Sequence, residues 1–257
     1  MDAPPRRVRQ ALSEVASQRA FFGVSALLFA ASAAATIVWC ASTPAMGGMP
    51  MPGQTWSGAG AAFLGMWVVM MAAMMLPSLV PMLSRYRQAV GVTGEKRLGA
   101  LTALVGAGYL FAWAVYGAGA YALGTGVKTL ELRLPGVASI VPMAAGVVLL
   151  LAGSLQLTGW KVRQVARCWE ALACADSARV NARGAWHQGL RLGAHCSLCC
   201  SAYMILLLLS GMMNLGVMAL VAAAITIERV SPAPRRVARA AGVVIILTGA
   251  VLLTSPG

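Results

Sequence analysis

Apolar residues dominate six stretches of the chain, at roughly 21–40, 61–83, 100–123, 138–158, 200–227 and 237–254. Each approaches the ~20 residues that a helix needs to cross a bilayer. Polar residues gather between them. The pattern predicts an all-α, polytopic transmembrane bundle of about six helices in one domain, 1–257. It also predicts a polar arm over 1–20 and a long polar connection over 160–195. The first run is too long for the ~7–15-residue apolar core of a signal peptide, so it reads as an uncleaved helix.

Composition agrees. Of 257 residues, 59% are hydrophobic and 11% charged, against about 25% charged in a soluble domain. The net charge of +13 would suggest nucleic acid in a soluble protein. Here it orients helices, and no nucleic-acid partner is expected. The arm carries Arg6, Arg7, Arg9 and Arg19. The 84–99 connection carries Arg85, Arg87, Lys96 and Arg97, and the 160–195 connection adds six more basic residues. That asymmetry predicts a multi-pass protein of a bacterial inner membrane with these segments, and both termini, in the cytoplasm. Arg229, Arg235, Arg236 and Arg239 disobey, since six spans would put them outside.

The stretch "HCSLCCSAYMILLLLSGMMN" places His195, Cys196, Cys199 and Cys200 at the mouth of the fifth run. At 100° per residue they fall within about 140° of arc, on one side of a helix. Cys168, Cys174 and His187 lie in the connection just before. Cytoplasmic thiols stay reduced, so the cluster points to soft-metal or redox chemistry rather than disulfides. Cys40, alone in the first run, reads as packing.

A second cluster, "MWVVMMAAMMLPSLVPM", puts Met70, Met74 and Met75 near the inner end of the second run. Thioethers are neutral, soft donors that select Cu(I). Pro77 and Pro81 are expected to end or kink that helix. Asn214 reads as interhelical glue. Glu228 beside Arg229 reads as a capping pair or a proton-coupled carboxylate. The aromatics of "GAGYLFAWAVYGAGAYALG" read as packing and interface anchors.

The segments at 67–81 and 193–229 resemble the DUF2182 family of bacterial integral membrane proteins, a resemblance covering about residues 55–230. It implies metal binding but no reaction. The double cysteine of that pattern stands here as Cys199 and Cys200, with different neighbours.

Together these residues point to a membrane protein that binds or moves a soft metal, copper first and zinc second. The site is expected near the inner leaflet, from Cys196, Cys199, Cys200, His195, Cys168, Cys174, Met70, Met74 and Met75. A metallochaperone or thiol protein would be the partner. Two alternatives remain at this stage: a membrane thiol-disulfide oxidoreductase, and a non-catalytic assembly factor with structural cysteines. Seven acidic residues and the absence of a nucleotide loop leave catalysis without obvious tools.

Overall fold

A computed structural model describes residues 6–42, 56–90, 95–161, 163–164, 181–211, 214–231 and 233–254. The segment holding Cys168 and Cys174 lies outside them, as does the stretch containing Met46, Met49 and Met51.

The described residues are helical almost throughout. They form α1 (Arg6–Ser42), α2 (Trp56–Val90), α3 (Glu95–Arg133), the short α4 (Pro135–Ala138), α5 (Val141–Leu157), α6 (Ala182–Ser210), α7 (Leu215–Val230) and α8 (Pro234–Thr254). Five of these, in α1, α2, α3, α6 and α8, are long and apolar enough to cross a membrane. Pro77 and Pro81 do not end the second helix, which continues to Val90.

Contacts fix the helix directions. Arg87 near the end of α2 bonds Ser17 of α1 and Thr102 of α3, so α2 runs against both. Farther along, the indole of Trp67 donates to the Trp113 carbonyl. The stripe Ala185, Gly189, Gly193 recurs at i, i+4, i+8 on α6 and lays that helix along α3. Any Cβ at Gly189 would strike the Val105 carbonyl, and one at Gly193 would lie 2.8 Å from the Tyr109 oxygen. Both sets of numbers rise together, so α3 and α6 are parallel. Gly146 and Gly153 of α5 meet Gly249 and Gly242 of α8, so that pair is antiparallel.

The fifth apolar run is the main departure from expectation. It is not one span. α6 stops at Ser210, Gly211 takes φ +90°, and Asn214 starts α7 by accepting the Val217 N–H at 3.1 Å. Asn214 is therefore an N-cap, a role in which asparagine satisfies an orphan backbone donor, and not interhelical glue. α7 then returns antiparallel to α6, bringing Glu228 back to Tyr203.

That reversal changes the topology. α8 leaves from the same end at which α1 begins, so the first and last described helices start together and α8 finishes at the far end. The start of α1 and the end of α8 therefore lie at opposite ends, against the expectation that both termini share one side. Arg235, Arg236 and Arg239 consequently join the end that carries Arg19, Arg85 and Arg97. The charge anomaly disappears because the chain turns back once more than its hydropathy suggests.

Lengths give depth. At 1.5 Å per residue, α8 is about 30 Å long, the thickness of a hydrocarbon core, and α5 is about 25 Å long before its helix breaks at Thr158, three residues short of Lys161. Both begin or end at the level where Lys161, Glu228 and Cys199 meet. α2 and α6 continue past that level by roughly 18–21 Å. The expected 160–195 connection is thus partly the first half of α6, with Arg183, His187 and Arg191 exposed.

Candidate metal centre

Cys196, Cys199 and Cys200 are buried on one side of α6, at 0%, 3% and 1% exposure. Helical spacing puts them there, and three other helices close over them. From α3, the Tyr109 hydroxyl lies 3.0 Å from the Cys196 sulfur. From α7, Nη2 of Arg229 lies 2.7 Å from the Cys196 sulfur and 3.5 Å from that of Cys200. One guanidinium nitrogen therefore touches two thiol sulfurs. Its other arm, Nη1, donates to Ser78 Oγ at 3.3 Å and approaches Met82 Sδ at 4.0 Å, both on α2.

Beside this lies a second charged unit. Lys161 pairs with Glu228 at 3.2 Å, with the two side chains 1% and 3% exposed. Lys161 also donates to the Cys199 carbonyl, and its ammonium sits 5.0 Å from the centre of the Tyr203 ring. The Tyr203 hydroxyl donates to the other Glu228 oxygen at 2.6 Å. Buried ion pairs are tolerated only when such hydrogen bonds satisfy the remaining lone pairs and protons, and here they do.

The methionines of α2 face inward. Met70, Met71, Met74 and Met75 are all nearly inaccessible and belong to the same buried cluster as the three cysteines. The sulfur that the contacts tie to the cysteine site is another one, Met82, through Arg229. Its position follows from the stripe Met71, Met75, Ser78, Met82 along one face of α2. Met82 is the last residue of the methionine-rich stretch, but it lies beyond the two prolines and outside the donor set Met70, Met74 and Met75.

His195 is half-buried and His187 exposed, about two and a half turns below Cys196 on α6. Among the described residues, no three side chains of His, Cys, Asp or Glu gather closely enough to hold a metal ion. What the geometry brings together is a pair of thiols, with a neutral thioether nearby. Cys40 is half-buried near the end of α1.

Sequence reasoning left Glu228 as either a capping partner of Arg229 or a proton-coupled carboxylate. Their side chains serve different neighbours: Glu228 takes Lys161 and Tyr203, and Arg229 takes the cysteines. Tyr109, Lys161 and Tyr203 were not foreseen as part of the site. The aromatics of α3 divide likewise. Tyr109 reaches Cys196, whereas Tyr116 and Tyr121 pack on Trp67 and Phe63 of α2.

Residues 64–252 match the family model PpoB2, described as a copper chaperone. The chain belongs to that family. It is related to the DUF2182 proteins that the motifs resemble, and the matched region contains every residue of the cluster just described. No curated protein and no solved structure matches the chain. The family supports a copper-related role.

Proposed function

We propose that this protein holds Cu(I) between the thiolates of Cys196 and Cys200 and passes it on, working in a bacterial inner membrane with its basic end in the cytoplasm. The observation that carries the reading is the single guanidinium nitrogen of Arg229 seated against both sulfurs. The two donors are within reach of one cation, and a permanent positive charge stands beside them.

Charge favours a monovalent ion. Two thiolates and one Cu(I) carry one net negative charge. Lys161 and Glu228 cancel each other, and Arg229 brings the buried site to neutrality. Uncompensated charge in such surroundings costs several kcal/mol. Soft thiolate and thioether donors suit Cu(I), whereas structural zinc takes four ligands, more than the described residues offer. Cys199 and Met82 stand near enough to relay or complete the coordination. Met70, Met74 and Met75 extend a neutral thioether path along α2. Cys168, Cys174, His187 and His195 remain candidate donors, and a cytoplasmic metallochaperone or thiol protein would dock at the basic end.

Copper content of protein purified anaerobically tests this. Wild type should retain about one Cu(I) per chain, and C196S/C200S should lose it while staying folded, because serine offers only a hard oxygen. Undiminished copper in the double variant would exclude the pair as ligands.

A further inference from the structure

A groove of about 1090 Å³ opens between α1, α2 and α3. Its α1 wall runs from Ala16 to Ala35, roughly 28 Å at 1.5 Å per residue, and is apolar apart from Ser17, Ser25 and Ser32. Leu28, Leu79 and Leu83 line it, and Gly106 of α3 leaves part of it open. Among the residues that line it, one carries a charge: Arg87, at the basic end of the bundle.

Arg87 is 7% exposed. Nη1 reaches Thr102 Oγ1 at 3.5 Å, and Nη2 donates to the Ser17 hydroxyl at 2.7 Å and to its carbonyl at 3.3 Å. The Phe21 ring lies 4.9 Å from the guanidinium. Nε has no hydrogen-bond partner. Among the described residues no carboxylate pairs with Arg87. Among the described residues, then, this buried guanidinium has no counter-ion and keeps an unspent donor, at the mouth of an acyl-sized groove.

We infer that this groove binds an anionic phospholipid, with the phosphate on Arg87 and one acyl chain between α1 and α3. Guanidinium is well matched to phosphate. Anionic lipid in the cytoplasmic leaflet is drawn to basic residues at the membrane surface. Arg87 lies on α2 nine residues, about 13–14 Å, beyond Ser78 toward the basic end, on the polar side of the level at which α5 ends and α8 begins. Free phosphate would explain Arg87 but not the apolar length of the groove. A chain seated there would also lie against Met75 and Tyr109, which line the groove, and so close the flank of the cysteine cluster that Tyr109 touches.

The test uses delipidated full-length protein and vesicles of phosphatidylglycerol or phosphatidylcholine, read by thermal unfolding and by native mass spectrometry of retained lipid. Wild type should unfold about 5 °C higher with phosphatidylglycerol, the size of shift that a bound ligand gives at concentrations well above its Kd. It should also retain that lipid through detergent. R87Q should lose both effects. G106L keeps Arg87 and fills the groove at a position where an added Cβ meets nothing within 4 Å. It should also lose them, and it decides the matter if R87Q fails to fold. R85Q, at an exposed neighbour, should change neither. Equal shifts with the two lipids, or lipid retention surviving G106L, would overturn the inference. Inorganic phosphate reproducing the shift would also overturn it, by removing the need for a lipid.

Discussion

Nη2 of Arg229 lies 2.7 Å from the sulfur of Cys196, although 33 positions separate the two residues in sequence. The α6–α7 reversal makes this contact. It carries a cation from the end of one helix to the thiols at the middle of the other, and it makes Arg229 the counter-charge of the proposed copper site.

Arg229 should therefore support copper rather than compete with it. Arg229→Gln is expected to weaken Cu(I) binding about 100-fold, on the scale of leaving one buried charge uncompensated. Arg229→Lys keeps the charge but loses the fork, and should cost about tenfold, or ~1.4 kcal/mol. Competition against a chromophoric Cu(I) chelator measures both. Tighter binding in the glutamine variant would mean that the guanidinium occupies the metal's place.

The Lys161–Glu228 pair should behave as a stability element. Glu228→Gln leaves a buried ammonium without its partner and should cost about 3–5 kcal/mol. Replacing both, as K161M/E228Q, should cost clearly less, since removing both charges avoids that penalty. Thermal unfolding in detergent distinguishes the two, provided each variant inserts.

The close approach of α3 and α6 should show in single-residue changes. Gly189→Ala drives a methyl into the Val105 carbonyl and should destabilise by at least about 1–3 kcal/mol, the usual cost of overpacking. Gly119→Ala, on the same α3, meets nothing within 4 Å and should be neutral or stabilising by up to ~1 kcal/mol, because alanine is the better helix former. Unfolding midpoints of the two variants make the comparison.

Topology separates a path that reverses at Gly211 from the six spans that hydropathy suggests. A reporter fused after Thr254 should be active outside the cytoplasm. A cysteine placed at Ala233 in a thiol-free background should be labelled only from inside. A cytoplasmic reporter after Thr254 would contradict the reversal at Gly211.

Much of this architecture is readable in the sequence because burial in lipid leaves long apolar runs. The inward face of Cys196, Cys199 and Cys200 is readable too, since helical spacing alone sets it. The break at Gly211 is harder to see, because "LLLLSGMMNLGVMALVAAAITIER" stays apolar across it. Its local signals are a glycine with positive φ and the Asn214 cap. The misplaced Arg235, Arg236 and Arg239 were the stronger clue, since an extra reversal returns them to the basic end. Tyr109, Lys161 and Arg229 reach the cysteines across 87, 38 and 33 positions. No periodicity within one helix can announce such pairings. They depend on which glycine faces let two helices approach.

X-ray absorption at the copper edge of anaerobically loaded protein tests the central claim most directly. The account predicts a monovalent edge and a sulfur-only first shell, which is lost in C196S/C200S and kept when His187 and His195 are replaced. A nitrogen- or oxygen-dominated shell that survives removal of both thiols would contradict it.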